Sequence, residues 1–370
     1  MSMKGLTSSQ PSRALITGSA LCFVLLAIPA TVAAQTPGAA SKEQAQEEES
    51  PWLLVPTVSS DPKVGTTLGA LGGYVTRLDE QSTPSMLLLS GKYSNTDSWT
   101  GALFGQMFFD SNRQRLTVGY VQGLIRNDYD DFLGSGQPAQ TTDNLNALAV
   151  RYMRSAGSHW YLGVQALSSN YSIGADQLLE GILEKIGLTG FDSNGLGLIA
   201  EYDARDHPRN PASGTLFRVS NIAYRQTFGG DESFDVYNIQ YNDYRTLSLE
   251  NTVVATQLSG RATHNAPVGG YSSVNLRGYV RGQSLAPHFT SVQTDARIPL
   301  GPRWGASAFA GVGCLYENPG DCGDSESLYP MAGGGAIFLI KKDAGLVLRA
   351  EYAQGKSGNS GFYLALGHPF

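Results

Sequence analysis

From Pro51 onward, apolar and polar residues alternate along the chain. In Ser85 to Tyr93, Leu87, Leu89 and Tyr93 fall on one face, while Ser90 and Lys92 fall on the other. Tyr237, Ile239 and Tyr241 oppose Asn238, Gln240 and Asn242. Val292, Ala296, Ile298 and Leu300 oppose Ser291, Gln293, Asp295 and Arg297, and Leu346, Leu348, Ala350 and Tyr352 oppose Arg349 and Glu351. A period of two is the signature of strands, with one apolar face and one polar face. About sixteen such runs fit between 51 and 370, the eleventh over 253–265, the twelfth over 288–300 and the last over 360–370. Short connections (79–83, 110–112, 301–303, 341–344) alternate with long ones (128–139, 172–190, 266–287). A sandwich with a dry core and a membrane barrel both give this pattern. The ionisable residues on the polar face favour the barrel, because a small dry core takes charges only with partners. The even count agrees, and the expected fold is an all-β transmembrane antiparallel barrel of about 16 strands.

The N-terminus points to export. Residues 1–34 carry Lys4 and Arg13, an apolar run through Leu21–Ile28, and a small-x-small site ending at Ala34. This is the pattern of a secretory signal peptide, and Leu21 before Cys22 is too large for a lipoprotein site. Residues 35–50, with Lys42, Glu43, Glu47, Glu48 and Glu49, are too polar to bury anything and read as a disordered acidic periplasmic leader. The formal charge of -6 becomes -8 without the signal; the leader holds -3 of it, leaving -5 on the body 51–370. That balance argues against a nucleic-acid partner. The 44 glycines and 18 tyrosines fit many short strands better than helices. Localisation follows: a multi-pass protein of the bacterial outer membrane, surrounded by lipid and lipopolysaccharide.

Three stretches invite a chemical reading. Asn275-Leu276-Arg277-Gly278-Tyr279-Val280-Arg281-Gly282 places two arginines in a long connection, read as strandless, before a strand bearing Asp295 and Arg297. By itself that reads equally well as a solvated loop with turn glycines. Cys314 and Cys322 flank Leu315–Asp321 at a hairpin tip in an oxidising compartment; a disulfide is expected, with two free thiols as the alternative. Residues 175–186 have helical periodicity. The histidines at 159, 207, 264, 288 and 368 show no metal spacing, and no nucleophilic serine in a Gly-x-Ser-x-Gly setting occurs. Neither an enzyme nor a cofactor is expected.

The chain resembles the BamA/TamA outer-membrane superfamily, the bacterial surface antigen family. Leu276-Arg277-Gly278-Tyr279 is similar to its Val-Arg-Gly-Phe/Tyr motif, with leucine in place of valine. The resemblance implies that this motif sits on an inward-folded extracellular loop 6, its arginine meeting an inner-wall acid, with Asp295, beside Arg297, as the matching candidate. The segment Tyr202, Asp203, Arg205, Asp206, then Pro211 and Gly214, resembles the family's strand running into a periplasmic turn. Phe132-Leu133-Gly134-Ser135-Gly136 and Ser60-Asp61-Pro62-Lys63-Val64-Gly65 resemble pieces of the subgroup without POTRA domains, and the terminal Phe370 is an aromatic end of the kind outer-membrane barrels carry. A leader of about sixteen residues is too short for a POTRA domain, so assembly activity does not transfer with the fold. The resemblance implies transport, or translocation or insertion of an unfolded-protein or lipid client, through a weak seam between the first and last strands. A passive porin or a structural or adhesive barrel is the alternative. The sequence sets neither client nor oligomeric state.

Overall fold

The structure is a computed structural model that describes residues 50–61, 65–129, 139–170, 192–249, 251–280 and 282–370. The signal and leader, Pro62–Val64, Phe132–Gly136, the helical stretch 175–186 and Arg281 lie outside the described residues. Sixteen strands form one antiparallel barrel. In chain order they are β1 (Trp52–Asp61), β2 (Gly65–Thr76), β3 (Ser85–Ser94), β4 (Trp99–Phe109), β5 (Gln114–Tyr129), β6 (Ala139–Gly157), β7 (Trp160–Ser169), β8 (Ser193–Asp203), β9 (Gly214–Tyr224), β10 (Phe234–Thr246), β11 (Val253–His264), β14 (His288–Pro299), β15 (Trp304–Tyr316), β16 (Leu328–Lys341), β17 (Leu346–Gly355) and β18 (Ser360–Leu366). The remaining two, β12 (Ser272–Ser273) and β13 (Leu285–Ala286), pair with each other inside the long connection between β11 and β14. That connection therefore carries its own small ribbon, contrary to the strandless reading, because Ser272 and Ser273 pair back onto Ala286 and Leu285 and stiffen its stem.

Each barrel strand pairs with its sequence neighbour, and β11 passes over the ribbon to pair with β14. Outward positions are apolar: Leu68, Leu87, Leu198, Val219, Ile239 and Leu258 are all exposed. Trp52, Tyr74, Trp160 and Trp304 stand near the rim of short turns, and Tyr93, Trp99, Tyr237 and Tyr352 near the rim of long loops. An apolar band between two aromatic girdles is what a bilayer demands of a barrel exterior. No helix among the described residues is long and apolar enough to cross a membrane; the crossing segments are strands.

The inward face is less uniform than the alternation predicts. Val121, Ile125, Leu145, Ala147 and Leu167 of β5–β7 form an apolar patch with Ile222 and Val236. Leu53, Val55, Leu88 and Phe104 of β1–β4 form another, joined by Ile340, Leu348 and Leu366. Leu346, placed by alternation on the outer face, is 1% exposed and packs near the turn rim with Ala344 and Val75, because the ladder shifts register between Leu339 and Lys341. Cys314 and Cys322 are joined by a disulfide, with Cα atoms 5.7 Å apart, across the loop between β15 and β16.

The junction between β1 and β18 differs from the rest. Among the described residues its register is a single pair, Ser60 opposite Phe362, at the loop rim. The adjoining β1–β2 ladder runs the full length of β1, from Trp52 opposite Tyr74 to Asp61 opposite Gly65. Toward the turn rim the junction rests on Leu53 and Val55 packed against Leu366 and Leu348.

Candidate functional site

The lumen is occupied from both rims. From the loop rim, Val274, Leu276 and Tyr279 of the β11–β14 connection are buried against Phe289, Phe309, Leu315, Met331 and Ala353 of the wall. This burial brings Arg277 to mid-wall. Its Nη1 donates to Asp295 Oδ2 at 3.2 Å and to Glu351 Oε2 at 3.0 Å, and its guanidinium lies 3.4 Å over the Phe309 ring. Arg349 Nη1 lies 2.6 Å from the same Glu351 oxygen, and Ser307 Oγ donates to Oε1 at 3.1 Å. Two carboxylates thus face two arginines, which keeps buried charge compensated. The turn is completed by backbone: Gly278 N–H donates to Tyr363 Oη at 3.0 Å, and Lys356 N–H donates to Tyr279 Oη at 2.8 Å. Gly278 has φ +88°, and a side chain there would press on the backbone of Ala353 to Gly355. Glycine is required on both counts.

Of the two inner-wall residues singled out in the sequence, Asp295 contacts Arg277 and Arg297 does not. Arg297 Nη1 donates to the Pro211 carbonyl at 3.1 Å and Nη2 to the main-chain oxygen of Phe370 at 2.9 Å, toward the turn rim. Glu351 is the acid that sequence reasoning missed. The alternation puts it on the polar face beside Arg349, but nothing in the sequence says which strands face each other across a lumen.

At the turn rim the β8–β9 segment carries a second cluster. Arg115 Nη1 bridges Glu201 at 2.8 Å and Asp203 at 2.7 Å, Arg218 bonds Glu201 at 2.8 Å, and Arg205 Nε bonds Asp203 at 2.8 Å. Tyr202 points the other way and sets its ring against Trp160. Asp206 accepts from Ala212 N–H at 3.0 Å, and Gly214, at φ +102°, starts β9. The turn between them reaches across the opening. Arg209 donates to the carbonyls of Ala344 and Pro84 and to Gln106 Oε1, touching three separate parts of the wall. Burial without a neighbouring carboxylate pushes its guanidinium down to about 10, so it is still charged at neutral pH. The tail after β18 joins this cover: His368 Nε2 lies 2.8 Å from Asn210 Oδ1, and Arg349 Nε donates to the Gly367 carbonyl. Burial first, then Arg297, Arg349 and Arg277, drives the His368 imidazole well below its ordinary value. Arg115, Arg209, Arg218 and His368 carried no motif; only their partners across the barrel give them a role.

Between the two covers lies a cavity of about 430 Å³. Its walls are unlike each other. Val55, Leu71, Leu88, Phe104, Leu348 and Leu366 line it on the β1–β4 and β17–β18 side, together with Lys92, Arg349 and Glu351, and the arc from β5 to β11 contributes most of the cationic groups beside Leu216, Ile222 and Val236.

No protein-family model matches the sequence, and no curated protein matches it by sequence. Among solved structures, BamA from Haemophilus ducreyi, in a form lacking POTRA domains 1–3, is similar over 86% of this chain and 69% of its own, with a TM-score of 0.50 and 14% identity. CdiB from Acinetobacter baumannii is similar over 86% of this chain, with a TM-score of 0.52 and 14% identity, and this chain spans 59% of it. The chain thus has the fold of a bacterial outer-membrane β-barrel, sixteen-stranded and nearly closed.

Proposed function

We propose that this chain is a loop-plugged outer-membrane barrel that moves a client laterally between lumen and membrane, and is not an open pore. The observation that carries the reading is the contrast at β1: a full ladder to β2 and a single paired position on β18. Inside a bilayer the apolar packing of Leu53 and Val55 on Leu348 and Leu366 has no hydrophobic advantage over lipid tails. Separating these side chains therefore needs little, while the other ladders hold through their backbone hydrogen bonds. The anchored Arg277 loop supports the same reading, since it keeps the lumen filled while the seam works. The likeness to BamA and CdiB, at 14% identity, adds the fold alone.

Planar-bilayer conductance of the refolded protein, compared with a variant in which 266–287 is shortened, tests this. Small, flickering wild-type conductance that becomes large and steady on shortening is the expected outcome. Equally large, steady conductance in both would make the protein a passive porin.

A further inference from the structure

The chain is acidic overall, at -6, yet its cavity is lined by nine arginine and lysine side chains against two acids, Glu201 and Glu351. Among the described side chains, counting the adjacent Asp203, Asp295 and Arg297 gives ten cations and four carboxylates. Lys92 of β3 lines the cavity and makes no ion pair among the described residues. Arg277, buried and held by Asp295 and Glu351, also lines the cavity. Arginine and lysine groups lining a cavity recognise carboxylate and phosphate through charge-assisted hydrogen bonds. The cavity's densest apolar stretch ends at the seam: Val55 and Leu366, which line the cavity, also close the β1–β18 junction.

We propose that this cavity binds a single-chain amphiphile with an anionic head, a carboxylate or phosphate on one acyl chain, drawn from the membrane through the seam. The chain lies along Val55, Leu71, Leu88 and Leu348, and the head meets Lys92, toward the loop rim of β3, and the arginines. A volume of about 430 Å³ falls in the range that takes a drug-sized ligand, and a two-chained phospholipid is larger. A small hydrophilic anion would leave the apolar wall unused, and an uncharged lipid would leave Lys92 without an anion. The route rests on the reading of the seam given above; the site itself does not.

The test is titration of the refolded protein in lipid nanodiscs with a dansyl-labelled fatty acid, a dansyl-labelled lysophosphatidic acid and an uncharged dansyl-labelled fatty alcohol. Both anionic probes should bind saturably and the alcohol at least about tenfold more weakly, the discrimination of one charged contact. The two anionic arms separate a carboxylate source from a phosphate source. Lys92→Glu should weaken both anions about tenfold and leave the alcohol alone. Leu71→Trp, which fills the apolar side, should weaken all three. Heat-modifiable migration shows that each variant has folded. Absence of saturable binding, equal binding of alcohol and acid, or unchanged affinity in folded Lys92→Glu overturns the proposal. A disulfide made from Ser60→Cys and Phe362→Cys should slow probe uptake; undiminished uptake with intact binding sinks the seam reading and keeps the site.

Discussion

Arg277 and Arg209 belong to the two opposite covers of the lumen, Arg277 buried and Arg209 partly buried. Arg277 is held by Asp295 and Glu351, two carboxylates on different strands, and lies on an aromatic ring. Arg209 is held by two carbonyls and an amide oxygen, with the Phe108 ring 5.5 Å away. A buried cation between carboxylates is fixed in a second sense, since removing it strands buried negative charge. A cation on neutral oxygens strands only polar groups. The loop-rim cover is therefore the lock, and the turn-rim cover is a lighter closure.

Arg277→Ala should break the comparison most severely. It leaves Asp295 without its arginine and should destabilise the barrel by about 3 kcal/mol or more. Loss of heat-modifiability at a lower temperature and new protease cuts within 266–287 would register it; an unchanged profile would show that the loop does not lean on this pair. Gly278→Ala comes next. A side chain at φ +88° against the backbone of 353–355 should lower stability by more than about 1 kcal/mol, read by the same gel assay.

Acid should act on the turn-rim cover alone. The folded chain holds His368 neutral, at a value depressed below the ordinary imidazole value of about 6.5. Above that value neither state carries the proton and nothing changes. As pH falls below it the unfolded or released tail takes a proton that the folded site refuses, so the docked tail loses stability until the folded value is reached. Arg297, Arg349 and Arg277 face the ring and oppose its charge, and Asn210 contacts it without titrating. Conductance noise or carboxypeptidase access to 367–370 should rise between neutral pH and pH about 5, and His368→Gln should abolish that rise. The smallest effect is expected from Arg209→Met. An apolar group replaces a cation with no carboxylate partner, so stability should stay within about 1 kcal/mol; a drop as large as that of Arg277→Ala would erase the distinction between the two ends.

The outward half of the molecule was legible in the sequence. Leu87, Tyr237, Ile239 and Val292 alternate because a lipid-facing position accepts only apolar side chains, and that demand is local to each strand. Strand count and the alternation of short and long connections followed from the same pattern. The inward half was legible only in part. Asp295 alternates inward on β14, but Glu351 as its companion depends on β17 standing close enough to β14 across the arc of the wall. The apolar patches of β1–β4 and β5–β7 were hidden because Leu88 and Val121 sit in runs where both faces read as apolar. Arg209 and His368 lie in a turn and a tail, where periodicity has no purchase. The ribbon Ser272–Ser273 with Leu285–Ala286 is shorter than any window that reveals a period.

The thin junction of Ser60 with Phe362 also bears on how the barrel is made. Every other barrel ladder joins successive barrel strands, so it closes over far less chain, and those with tight turns can zip as hairpins on the microsecond scale. The last junction alone must bring together the two ends of the described strands, and the entropy of closing so long a span is recovered by one paired position and a few leucines. A folding chain should therefore pass through a fully laddered but open sheet, slow at its final step. The same junction that closes last in assembly is the one that opens most readily afterwards.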